Sequence, residues 1–92
     1  MDGGIYQSMK KNMHKEIFRR FILENFLFTD DESELNDDDS FMENQVIDST
    51  GILEVIEFLE DEWNVKTEDD EMIPENLDSV NKVISFVERK QG

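Results

Sequence analysis

Apolar residues fall at Met9, Met13, Ile17, Phe18, Phe21, Ile22 and Leu23, in steps that keep them on one face of a helix. The spacing predicts a first amphipathic helix over residues 9–28, with residues 1–8 as a flexible lead. From residue 29 the pattern breaks. Residues 29–44 are dense in Asp, Glu, Asn and Ser, with Leu35, Phe41 and Met42 as the apolar anchors. The reading is a long acidic loop over residues 29–48, pinned to a core at those few points. Periodicity returns over residues 49–63, where Ile52, Val55, Ile56, Leu59 and Trp63 form an apolar stripe and Glu54, Glu57 and Asp61 line another face. Beyond a polar stretch over 64–71, Pro74 interrupts any helix. Val80, Val83, Ile84 and Val87 then mark a last helix to about residue 89, capped by Asp78 or Ser79. No strand alternation and no internal repeat competes with this pattern. The expected fold is all-α, a small antiparallel bundle of three long helices plus one short helix.

Size narrows the picture further. Ninety-two residues close one modest core, so 1–92 is read as a single domain. A chain this small seldom spares the apolar side chains that a deep catalytic cleft needs, which weighs against an enzyme. It has no Cys, which excludes a disulfide framework, a thiolate metal site and a Cys nucleophile, and fits a cytoplasmic home. Neither a signal-like apolar run over residues 1–11 nor a stretch of roughly 18 apolar residues is present, so a soluble protein is expected.

Charge changes the picture most. Twenty-four acidic against nine basic residues give a net charge of −15, which repels nucleic acid phosphate and anionic lipid alike. Lys10, Lys11, Lys15, Arg19 and Arg20 cluster early, and no Lys or Arg follows until Lys66. The middle of the chain is therefore purely anionic, either a solvated stretch or a docking face for basic partners.

The candidate chemistry sits where the second helix opens, at Asp48-Ser49-Thr50. Asp48 or Ser49 caps that helix, and its free N–H groups favour a phosphate carried on the Ser49 hydroxyl. His14 is the only histidine, which leaves no second imidazole for a metal, and it reads as a surface residue. A serine hydrolase would need that His, on a distant helix, as its base. The acidic runs at 30–32 and 37–39 lack the Gly and Glu spacing of a calcium loop. Phe58 and Trp63 read as core, and Leu53, beside the polar face, as a partly exposed contact for partners.

Several pieces at matching intervals resemble the acyl carrier protein family over nearly the whole chain. Ser40-Phe41-Met42-Glu43 followed by Asp48-Ser49-Thr50 is similar to that family's buried Phe preceding its Asp-Ser-Leu attachment motif, which puts Ser49 on the modified serine. The run from Ile52 to Trp63 resembles the family's recognition helix, with Glu54, Glu60 and Asp61 at acidic docking positions. Pro74-Glu75-Asn76-Leu77-Asp78-Ser79-Val80 and Val83-Ile84 resemble the short third element and last helix of stand-alone carriers. Thr50 in place of Leu, Gly51 in place of an acidic residue, and Val46-Ile47 in place of Gly-Ala depart from the pattern and favour dedicated partners.

The resemblance implies a monomeric carrier that catalyses nothing itself. A phosphopantetheinyl transferase would place 4′-phosphopantetheine on Ser49, with Asp48 and Thr50 flanking it. Loading ligases and later biosynthetic enzymes with basic patches would dock on Leu53, Glu54, Glu57, Glu60 and Asp61. The cargo stays open between an acyl group in a specialised pathway and an aminoacyl group. The rival reading is an acidic helical adaptor that carries no arm. Either way, 24 acids with few basic neighbours repel one another. The melting temperature is expected to rise from low to moderate salt, and a flat or falling value in a thermal scan would count against this.

Overall fold

The structure is a computed structural model that describes the backbone of residues 3–91 and the side chains of residues 13–91. The expected flexibility of residues 1–8 falls on side chains outside that set. Among the described residues four α-helices follow in chain order: α1 (Gly3–Ile22), α2 (Gly51–Trp63), α3 (Pro74–Leu77) and α4 (Val80–Gln91). No strand occurs among the described residues. Three long helices and one short one match the pattern of apolar positions. α1 begins before the expected Met9, and its last turn widens into a π-helical turn over Leu23–Leu27.

Each helix end has a local cause. α2 stops at Asn64, which takes the left-handed conformation at φ 56° and donates its N–H to the Glu60 and Leu59 carbonyls. Asn tolerates that conformation better than most residues. The next residue, Val65, is buried and donates its N–H to the Leu59 carbonyl at 3.2 Å. Pro74 opens α3 at the first helical position, where its missing N–H costs nothing. Of the two expected caps for α4, the structure selects Ser79, whose Oγ accepts the Lys82 N–H at 3.1 Å.

An aromatic seam joins α1 to α2. Phe21 stacks on Phe58 with ring centres 4.1 Å apart. Phe26 meets Phe21 edge-on at one end, and Trp63 meets Phe58 edge-on at the other. His14 lies 4.7 Å from the Trp63 ring. Because the end of α1 meets the start of α2, and His14 in α1 meets the last residue of α2, the two helices run antiparallel. Phe18 adds contacts to both Phe41 and Phe58. The core is completed by Ile22, Leu35, Ile47, Val55, Leu59, Leu77 and the buried face of α4, Val80, Val83, Ile84, Phe86 and Val87.

Two expectations are corrected here. His14 is only 8% exposed and is not a surface residue, because the flat imidazole covers the indole that closes the seam. Met42 does not anchor the acidic loop, since it is 51% exposed; Ile47, fully buried, anchors it in its place, with Leu35 and Phe41 as expected.

The loop is also held by charge. Arg19, on α1, donates Nη1 to the Leu35 carbonyl at 2.8 Å and to Asp37 Oδ1 at 2.6 Å, and Nη2 to the Glu32 carbonyl at 2.8 Å. Lys15 approaches the same Asp37 carboxylate at 3.2 Å. Asn81 at the start of α4 completes the attachment, donating its N–H to the Asp37 carbonyl and its side-chain amide to Asp38. Partial burial alone would raise the pKa of Asp37, but hydrogen bonds and charge from Arg19 and Lys15 outweigh it and leave the value below the ordinary 3.8. A depressed carboxyl pKa adds stability above the ordinary value and loses it as pH falls through the lowered one.

Arg19→Ala, which takes the donor from the Leu35 carbonyl and the guanidinium from Asp37, is expected to lower stability by about 2 kcal/mol in denaturant titration. Wild type should exceed Asp37→Asn in stability at neutral pH, with the gap closing as pH drops below the ordinary carboxyl range. A gap that persists undiminished in acid would show that the ion pairs do not hold the loop.

Candidate functional site

Asp48 organises the start of α2. Its Oδ1 accepts the Gly51 N–H at 2.7 Å and its carbonyl accepts the Ile52 N–H at 3.1 Å, so of the two expected caps it is Asp48 that performs the task. The regular helix begins at Gly51 and not at Ser49, because Ser49 and Thr50 form the turn under this cap. Ser49 thereby stands in the turn that leads into α2. Its side chain is exposed, and no hydrogen bond to its hydroxyl occurs among the described residues. Thr50 beside it is exposed as well. The positive dipole end of α2 makes this a favourable place for a phosphodiester.

Beside Ser49 opens a cleft of about 150 Å³ whose remaining walls are Met42, Ile52, Met72, Ile73, Pro74, Leu77 and Asp78. Its floor is apolar, with Leu77 buried, and its lips Met42, Met72 and Ile73 are exposed. Asp78 fixes the near wall. It accepts the Ser40 hydroxyl and the Met42 N–H through its carboxylate, and the Phe41 N–H at 2.8 Å through its carbonyl. The loop residue Phe41 and the α3–α4 junction are thus tied together, and Ser49 faces the gap they leave. The sequence pattern does not reveal this cleft, because it places Met42 in the core and gives Met72 and Ile73, just before Pro74, no partner.

Along α2 the expected docking residues come together. Leu53, Glu54, Glu57, Glu60 and Asp61 are all exposed, and at 3.6 residues per turn they fall within one arc of about 120°. Val55 and Leu59 occupy the buried side. His14 is remote from this start of α2. It packs on Trp63 at the other end of the helix, about 20 Å away by helical rise, so Ser49 and His14 form no nucleophile–base pair. Ser79, the other serine at a helix start, is 2% exposed.

Gly51, a departure in the sequence, has a packing cause. A Cβ there would stand 2.9 Å from Phe26 Cε1 and 3.0 Å from Ile47 Cγ2. The π-helical turn at the end of α1 brings Phe26 against the first turn of α2, and only glycine leaves room for it. No helix among the described residues is long and apolar enough to cross a membrane. No protein-family model matches the chain, and no curated protein shows significant sequence similarity to it.

Gly51→Ala is expected to cost about 1 kcal/mol net, because the overpacking against Phe26 and Ile47 exceeds the gain in helix propensity. In a Phe26→Ala background the loss should shrink. Equal losses in both backgrounds, read from chemical denaturation, would refute the packing account.

Proposed function

We propose that this chain is an acyl carrier protein, a stand-alone carrier that holds an acyl intermediate as a thioester on a 4′-phosphopantetheine arm attached to Ser49. The observation that carries the reading is the setting of Ser49: an exposed hydroxyl in the turn leading into an Asp48-capped helix, opening on an apolar cleft and followed by an exposed acidic stripe. Each part suits a step of the task. The Ser49 oxygen forms a bond to the phosphorus of the arm, with the nucleotide part of coenzyme A as leaving group. The N-terminus of α2 favours the resulting phosphodiester. The arm, once attached, supplies a thiol for the cargo. The cleft between Met42, Ile52, Met72 and Leu77 shelters the apolar part of what is carried. Leu53, Glu54, Glu57, Glu60 and Asp61 dock basic partners, and the net charge of −15 steers them more than it binds them. Tethering then raises the local concentration of cargo at each partner.

The protein supplies no catalytic group in this scheme and acts as a monomer in the cytoplasm. Gly51 does not weaken the reading, since its cause is the contact with Phe26.

Incubation with coenzyme A, magnesium and a broad-specificity phosphopantetheinyl transferase is expected to add the mass of one arm, mapped to the peptide containing Asp48-Ser49-Thr50. Ser49→Ala should gain nothing, and Ser79→Ala should be modified like wild type, since Ser79 is buried and caps α4. Reversing Glu60 and Asp61 to Lys should slow the transfer without loss of helicity, because exposed charges add little stability. An unmodified wild-type chain, with several transferases and also when isolated from its own cell, would replace the carrier with the acidic adaptor.

A further inference from the structure

Phe28 is an anomaly in this fold. It ends the π-helical turn in the left-handed conformation, at φ 54°, with its N–H donated to the Leu23 carbonyl. Glycine is the usual residue there, and a bulky side chain with positive φ is strained. The side chain recovers nothing by packing, since it is 81% exposed while its neighbours Phe26 and Leu27 pack against the core. π-Helical turns themselves recur at functional sites. Unfavourable backbone, a large exposed aromatic and an irregular turn thus coincide at one residue. None of them serves the core.

The position gives the anomaly a use. Phe26, two residues earlier, lies against Gly51 in the first turn of α2, so Phe28 stands at the end of the bundle that presents Ser49. An enzyme that acts on the tip of an arm is held off by the arm's length. The transferase is not, because it must bring its donor phosphorus to bonding distance of Ser49 Oγ and so must cover this end of the bundle. Charge selects the kind of surface that fits. The residues that follow Phe28, Thr29 and Asp30, border an acidic cleft that runs back along α1, with Glu16, Glu24 and Glu32 against Arg20, Glu32 also meeting Arg19 at 3.4 Å. That rim repels an anionic membrane and a second copy of this chain, and attracts a basic surface.

We infer that Phe28 is a docking knob for the phosphopantetheinyl transferase, entering an apolar socket with a basic rim, as a contact separate from the acidic stripe of α2. This rests on the carrier reading. An exposed aromatic on a net acidic surface suits an interface anchor for a basic partner.

The test is the kinetics of arm transfer from coenzyme A by the transferase of the chain's own cell, with the full-length carrier varied as substrate. Phe28→Ala and Phe28→Gly are expected to raise KM for the carrier about tenfold with kcat little changed, the loss typical of a truncated anchor. Phe28→Tyr should keep the wild-type KM. Met13→Ala, which shortens another exposed apolar side chain one residue from the remote His14, should also keep it. Phe28→Gly should melt no lower than wild type, since glycine relieves the left-handed strain. Wild-type KM for both Phe28→Ala and Phe28→Gly overturns the knob and leaves the carrier intact. A wild-type chain that gains no arm overturns the carrier reading together with the knob.

Discussion

The aromatic seam between α1 and α2 is the contact on which the other features depend. Phe21 against Phe58 forms its centre, with Phe26 at one end and Trp63 with His14 at the other. Each pair of rings adds about 1 kcal/mol beyond the area it buries. The seam sets both the antiparallel direction of the helices and their register. A register shifted by one turn would take Phe26 away from Gly51 and His14 away from Trp63. Since Gly51 lies in the first turn of α2, the seam also decides what surrounds Ser49.

A chain with a net charge of −15 must still bring a long acidic loop against its core, and two kinds of attachment make that possible. Leu35, Phe41 and Ile47 bury apolar surface. Arg19, whose side chain is only 13% exposed, matches loop carbonyls and the Asp37 carboxylate, so one guanidinium serves both as hydrogen-bond donor and as counter-charge. The early cluster of basic residues thereby has a structural use for two of its members, Lys15 and Arg19. Asp78 plays the complementary part from the α3–α4 junction, holding residues 40–42. The loop is therefore ordered up to Asp48, and the cap that Asp48 makes is placed by both attachments.

The remaining charge is left outward. Glu54, Glu57, Glu60 and Asp61 have a common face and no role in the core, whereas Met42, Met72 and Ile73 leave an apolar lip next to Ser49. A surface that is anionic around an apolar opening suits transient encounters with basic proteins, because steering raises the rate of meeting while exposed pairs hold weakly. On the carrier reading, Ser49 lies where those two surfaces meet. Phe28 adds an aromatic at the same end of the bundle.

Local pattern alone determined the helical class, the number of long helices, the acidic loop and the outward stripe of α2. These follow from three- and four-residue spacing, from Pro74 and from runs of Asp and Glu, all of which act over a few residues. The same local chemistry narrowed each cap to two neighbours, Asp48 or Ser49 and Asp78 or Ser79. It could not choose between Asp78 and Ser79, because that choice turns on whether Asp78 is drawn to Ser40 and Met42, 36 and more residues away in the chain. Burial of His14, exposure of Met42, the cleft at Ser49 and the need for glycine at 51 were likewise decided by tertiary structure. Each depends on which side chain arrives from another element: Trp63 for His14, Leu77 and Ile73 for the cleft, Phe26 for Gly51. A helical period records which face of a segment is apolar, but not what that face will meet.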